Sequence, residues 1–137
     1  MENSNVNIGN SLTKYTFTDA DGEVVAYFRM NPCDVRIAER ANETVQYFRI
    51  KQEEAKATPD VNDMIRYDKE LAEKVNYILG YDASATLFGF MSATSVLDDG
   101  RIFASLVLET IAENLESDIK KRFEKLKAVE KYTAKYQ

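Results

Sequence analysis

Histidine is absent from this chain, which removes the commonest general base, the commonest metal ligand and the one side chain that ordinarily titrates near neutrality. Cysteine is almost as scarce. Cys33 stands alone, so no internal disulfide can form, and a thiolate metal site lacks its ligands. Among apolar neighbours Cys33 reads as a small hydrophobic filler rather than a nucleophile. With 5 glycines and 2 prolines in 137 residues, there is no glycine-rich phosphate loop and no serine-centred elbow. The chain therefore reads as a non-enzyme, with no catalytic, cofactor-binding or metal-binding residues assigned.

Long apolar runs are missing too. A secretory signal needs an apolar stretch behind a basic start, and a membrane helix needs about 20 apolar residues. Neither is found, and the expectation is a soluble intracellular protein. Residues 1–11 hold four Asn with no apolar periodicity, which reads as a disordered leader. Residues 12–137 read as a single domain, since 45% hydrophobic content over this length supports one core.

The net charge of −5 is unevenly placed. Residues 118–137 carry seven Lys or Arg against Asp118, Glu124 and Glu130, a balance of +4 that leaves −9 for the remainder. An acidic body with a basic helical end suits head-to-tail association or an acidic partner. The plainer reading is that cations at a helix C-terminus complement its macrodipole and keep the helix in solution.

What the sequence does contain is periodicity. Leu12–Asp19 and Glu23–Met30 are β-prone runs around Asp19-Ala20-Asp21-Gly22, which predicts a hairpin. In the second run Val24, Ala26, Phe28 and Met30 share one face and Val25, Tyr27 and Arg29 the other. Apolar groups on both faces predict a hairpin that is sandwiched or extended by another strand. The turn superficially matches part of a calcium loop, but position 28, where the bidentate Glu belongs, is Phe.

Asn31-Pro32 predicts a helix start, continued by Val35, Ala38, Ala41, Val45 and Phe48. Thr58-Pro59-Asp60 breaks the pattern and restarts it. The stripe Met64, Leu71, Val75, Ile78 and Leu79 then runs to Gly80, a suitable C-cap. The short link makes these helices antiparallel neighbours. Between Tyr81 and Gly100 the chain turns small and apolar, and Leu87, Phe88, Phe90 and Met91 read either as a buried plug, which is favoured, or as an exposed binding patch. Asp99-Gly100 reads either as a second hairpin turn or, as the helical period from Ile102 and Phe103 favours, as a loop ahead of the next helix.

That helix, from Arg101 to Tyr136, is the longest element. Leu108, Ile111, Leu115, Ile119, Leu126, Val129 and Tyr136 keep a three-and-four spacing, with Arg122 and Thr133 on the intervening beats. Its 36 residues would extend roughly 54 Å, whereas a compact globule of this size is about 36 Å across. Its far end must bend back, protrude or lie on another molecule. The expected partner-binding residues are therefore Leu115, Ile119, Leu126 and Val129, with Phe88 and Phe90 from the plug, and self-association into a homo-oligomer is expected. The cluster Lys120, Lys121, Arg122 and Lys125 invites a nucleic-acid reading, which the acidic total and the interrupting Glu124 and Glu130 disfavour. The fold class expected is α+β, mainly α: an N-terminal β-hairpin packed on two antiparallel helices, with a long C-terminal amphipathic helix.

The run Tyr27-Phe28-Arg29-Met30-Asn31-Pro32-Cys33-Asp34, then Ala38-Glu39-Arg40, resembles small proteins of the tail-morphogenesis region of phages and prophages of Gram-positive bacteria. So do Leu87-Phe88-Gly89-Phe90-Met91, Asp99-Gly100 and the closing Lys131-Tyr132-Thr133-Ala134-Lys135-Tyr136. The resemblance spans most of the chain after Ser11, and it is the order of the motifs that carries it. It implies a tail assembly chaperone, acting in the bacterial host cytoplasm by binding the tape-measure protein or a tail-tube subunit before polymerisation. A structural tail or connector subunit of the virion is the alternative. The resemblance brings no catalytic or ligand residues with it.

Overall fold

The computed structural model describes residues 4–9, 12–54 and 58–135, with side chains left out at 49, 51–54, 122–123 and 125–135. Two strands and four helices follow one another: β1 (Thr13–Thr18), β2 (Val24–Met30), α1 (Val35–Glu54), α2 (Val61–Leu79), α3 (Ser84–Leu87) and α4 (Phe103–Lys135). The fold is α+β and mainly α.

The hairpin turn is built by Asp19. Its carboxylate accepts the amides of Asp21 and Glu23 at 2.9 and 3.0 Å, while Gly22, at φ 80°, supplies the left-handed step. β1 and β2 pair antiparallel from Thr13↔Met30 to Phe17↔Ala26 and then Thr18↔Val24, so Val25 is an extra residue on β2. This bulge takes Val24 out of the inward row and leaves it exposed. Tyr15, Phe17, Ala26, Phe28 and Met30 share the core face. Phe28 is fully buried, stacked on Tyr15 with centroids 4.9 Å apart and tilted against Phe17 at 6.0 Å. The sequence suggested two covered faces. Only one is: Val25 and Tyr27 on the other are half-buried, Arg29 is exposed, and the Lys14 ammonium sits 4.4 Å over the Tyr27 ring.

α1 starts three residues later than Asn31-Pro32 suggests. Asn31 holds a turn, accepting from the Cys33 amide at 3.0 Å. Asp34 then accepts the Arg36 amide at 2.9 Å, occupying the N-cap. α2 begins with a reciprocal capping box between Asp60 and Asp63 and ends at Gly80, φ 82°. Three cross-links fix the helices antiparallel: Tyr77 Oη donates to Glu43 (2.6 Å), Arg40 Nε to the Ile78 carbonyl (3.0 Å), and Tyr47 Oη to Glu70. Arg40 thus places a cation on the negative end of α2, which has no basic residue in its own last turn.

The core lies where the hairpin, α1, α2, α3 and α4 meet. Phe28, Met30, Val75, Ile78, Leu87, Phe103, Val107 and Ile111 are its largest fully buried side chains, each contributing roughly 1.5–3 kcal/mol by burial. Phe103 anchors the start of α4, with the edges of Phe17 and Phe88 meeting it at 5.5 and 5.6 Å.

The segment from Tyr81 to Ile102 ties these layers together through hydrogen bonds that no periodicity could reveal. Thr86 Oγ1 donates to the Tyr27 carbonyl at 2.8 Å, and the Tyr81 hydroxyl accepts the Arg29 amide at 2.7 Å. Thr94 donates from both its amide and its hydroxyl to Asp68 on α2, each at 3.0 Å. The first amides of α4 have no side-chain cap. They donate instead to loop carbonyls, Phe103 to Ser95 (2.8 Å) and Ala104 to Ala93 (2.9 Å). The loop expected before α4 holds a tight turn, closed by Leu97 N–H on the Arg101 carbonyl at 2.7 Å and flanked by a Val96↔Ile102 bridge.

Candidate interaction surface

α4 spans 33 residues, roughly 50 Å at the helical rise. Its inward row is Phe103, Ala104, Val107, Ile111 and Leu115, all buried. Ile119 is half-buried against the same cluster, and the next described side chains, Lys120, Lys121 and Glu124, are exposed. Of the expected partner-binding residues, Leu115 is thus a core residue and Ile119 a rim residue. The side chains of Leu126 and Val129 lie outside the described residues, although the helical backbone carries both.

The plug divides at Phe88. Leu87 is fully buried, Phe88 is half-buried with its ring edge on Phe103, and Phe90 is 64% exposed. Leu87 and Phe88 thus plug the core as expected, while Phe90 faces water.

Sequence periodicity misjudged one stretch of α2. Met64 belongs to the stripe that continues into Leu71, Val75 and Ile78, and on pattern alone it reads as core. It is 51% exposed, beside Val61 at 71% and Ile65 at 48%. The apolar spacing runs through Asp68, whose carboxylate is engaged by Thr94, but the buried part of the stripe ends at Leu71. Nothing in the spacing marks that end. The three aliphatic side chains are flanked by Asp60 and Asp63, so this surface is apolar with an acidic border.

Some polar groups elsewhere pair with one another. Arg101 bridges Asp99 and Glu109, and its guanidinium, hydrogen-bonded to Asp99, holds that carboxyl below its ordinary range. Tyr77 is held protonated above its ordinary value, chiefly by its hydrogen bond to Glu43. Burial raises the pKa of Tyr15. A cleft of about 250 Å³ opens between the end of β2 and the start of α1, lined by Arg29, Asn31, Asp34 and Tyr81 among others. It falls below the usual volume of a small-molecule site. No group of three acidic or thiol side chains among the described residues could hold a metal ion, and no described helix is long and apolar enough to cross a membrane. What the described residues present is a surface with exposed apolar side chains at Val61, Met64, Ile65 and Phe90. No known family model, curated protein or solved structure matches the chain.

Proposed function

We propose that this chain is a non-enzymatic binding protein of the tail assembly chaperone kind, holding a helical client, the tape-measure protein or a tail-tube subunit, before the tail polymerises in the host cytoplasm. One observation carries the reading. The apolar stripe of α2 is buried at Leu71, Val75 and Ile78 and uncovered at Val61, Met64 and Ile65, the pattern of a helix that completes its packing against another helix. α4 supports it, because its apolar spacing continues to Leu126 and Val129 beyond the last described core residue. The resemblance noted in the sequence supplies the client class. Half-exposed aliphatic side chains offer only a few kcal/mol of burial, reduced further by the ordering cost of association. Such a complex is weak enough to release its client.

The test is co-purification with candidate tape-measure and tail-tube proteins. The intact chain should retain one of them, and the double substitution Met64→Asp and Ile65→Asp should lower that retention at least about tenfold, the effect of roughly 1.4 kcal/mol. Truncation after Lys121 should do the same; that cut keeps Ile119, which packs on the core. Purified virions should lack the chain by mass spectrometry. Its stoichiometric presence there would replace this reading with that of a structural tail or connector subunit.

A further inference from the structure

The two edges of the hairpin are treated differently. On β2, the Arg29 amide is bonded to the Tyr81 hydroxyl and the Tyr27 carbonyl to Thr86 Oγ1, so its outer polar row is partly engaged by the chain itself. Those bonds also fix the hydrogen-bonding phase of the hairpin. Since Tyr27 and Arg29 point their backbone groups away from β1, their partners Thr16 and Lys14 must sit at non-hydrogen-bonded positions and point theirs away from β2. The outer row of β1 therefore consists of the Lys14 and Thr16 amides and carbonyls. The sheet has only two strands, and no other strand among the described residues pairs with that row.

Edges left open are normally blunted by a proline, a bulge or an outward charge. β1 has no proline, and the bulge lies on β2 at Val25. The one charge on β1, Lys14, is drawn over the Tyr27 ring at 4.4 Å, toward β2 and away from the open side.

We propose that the open edge of β1 is a docking site for β1 of a second copy of this chain, paired antiparallel about a two-fold axis at Thr16. The register is self-complementary. Outward-pointing Thr16 would exchange both hydrogen bonds with its counterpart, and Lys14 would lie opposite Thr18, with no like charges apposed. Tyr15 would lie opposite Phe17 on the core face. Both rings are only half-buried in the single chain, so the pairing joins two aromatic layers, each already built on Phe28, into one face of a four-stranded sheet. The interface is short, so the dimer is weak and concentration-dependent.

The test needs no client, so its failure and that of the proposed function are independent. Sedimentation of the purified full-length chain from micromolar to millimolar concentration should show monomer passing to dimer. Thr16→Pro removes an amide that the hairpin does not use, and it should raise the dissociation constant at least about tenfold with an unchanged circular dichroism spectrum. Should that variant fail to fold, a second measurement decides. A Thr16→Cys, Cys33→Ala chain brings paired Cα atoms to about 5.5 Å, within disulfide range. On mild oxidation it should cross-link far more than an Asn62→Cys, Cys33→Ala chain. A chain monomeric throughout, a folded Thr16→Pro variant that dimerises like the intact one, or equal cross-linking from both cysteine positions would overturn the proposal.

Discussion

The Asp68 carboxylate on α2 accepts both the amide and the hydroxyl of Thr94, each at 3.0 Å. Those two bonds pin the loop whose carbonyls at Ala93 and Ser95 cap the start of α4. One half-buried acid thereby links α2 to the loop that caps α4, across 26 residues of sequence. Asp68→Ala strands both Thr94 donors, and the cost of leaving such groups unpaired is about 1–3 kcal/mol. Thr94→Val should cost less, because the amide bond survives. Thermal denaturation followed by circular dichroism checks the order, and a double mutant less destabilised than the sum of the two shows that the residues act as a pair.

Phe103 and Phe90 are aromatic residues from neighbouring segments with opposite expectations. Phe103 is fully buried and touches the rings of Phe17 and Phe88, so Phe103→Ala should destabilise by about 3–5 kcal/mol. Phe90→Ala should stay within about 0.5 kcal/mol. Urea denaturation of the two variants side by side distinguishes core from surface within the plug.

Gly80 occupies the left-handed C-cap of α2 at φ 82°, and a Cβ placed there would approach the Arg40 guanidinium at 3.4 Å. Arg40 is the residue that donates to the Ile78 carbonyl in the last turn of α2. Gly80→Ala should therefore cost about 1 kcal/mol through backbone strain, and Gly80→Val more. A fall in the urea midpoint at constant slope is the expected signature.

The Tyr77 hydroxyl donates to Glu43, and that bond is the main reason its pKa lies above the ordinary tyrosine value. A raised pKa means the protonated phenol is favoured by folding. Its contribution is fully present below about pH 10, the unfolded value, and is lost as pH rises through the folded pKa. Absorbance titration of tyrosinate should show two late-titrating groups, Tyr15 and Tyr77, of which only Tyr77 moves earlier in Glu43→Gln. An identical titration in both chains would remove the hydrogen bond as its cause.

The elements themselves were legible along the chain because each rests on local chemistry. Asp19 and Gly22 specify a turn, Asp60 and Gly80 bracket a helix, and the spacing from Phe103 to Ile119 holds one face inward, all within a few residues of sequence. α1 starts later than Asn31-Pro32 suggests, because an Asn-Pro pair suits a turn as well as a cap. Whether a stripe is covered depends instead on how far the rest of the body reaches. Val61, Met64 and Ile65 are apolar like Val75 and Ile78 on the same helix, yet they are exposed where the latter are buried.

Sequence alone therefore determined the hairpin, the helical pair, the long closing helix and the poverty of reactive groups, since propensity, capping and composition act locally. Tertiary structure decided which apolar positions are core and which are surface, and which hairpin edge stays open. Those outcomes turn on the hydrogen bonds made by Tyr81, Thr86 and Thr94 across 26 to 59 residues, where partner choice follows from packing in three dimensions.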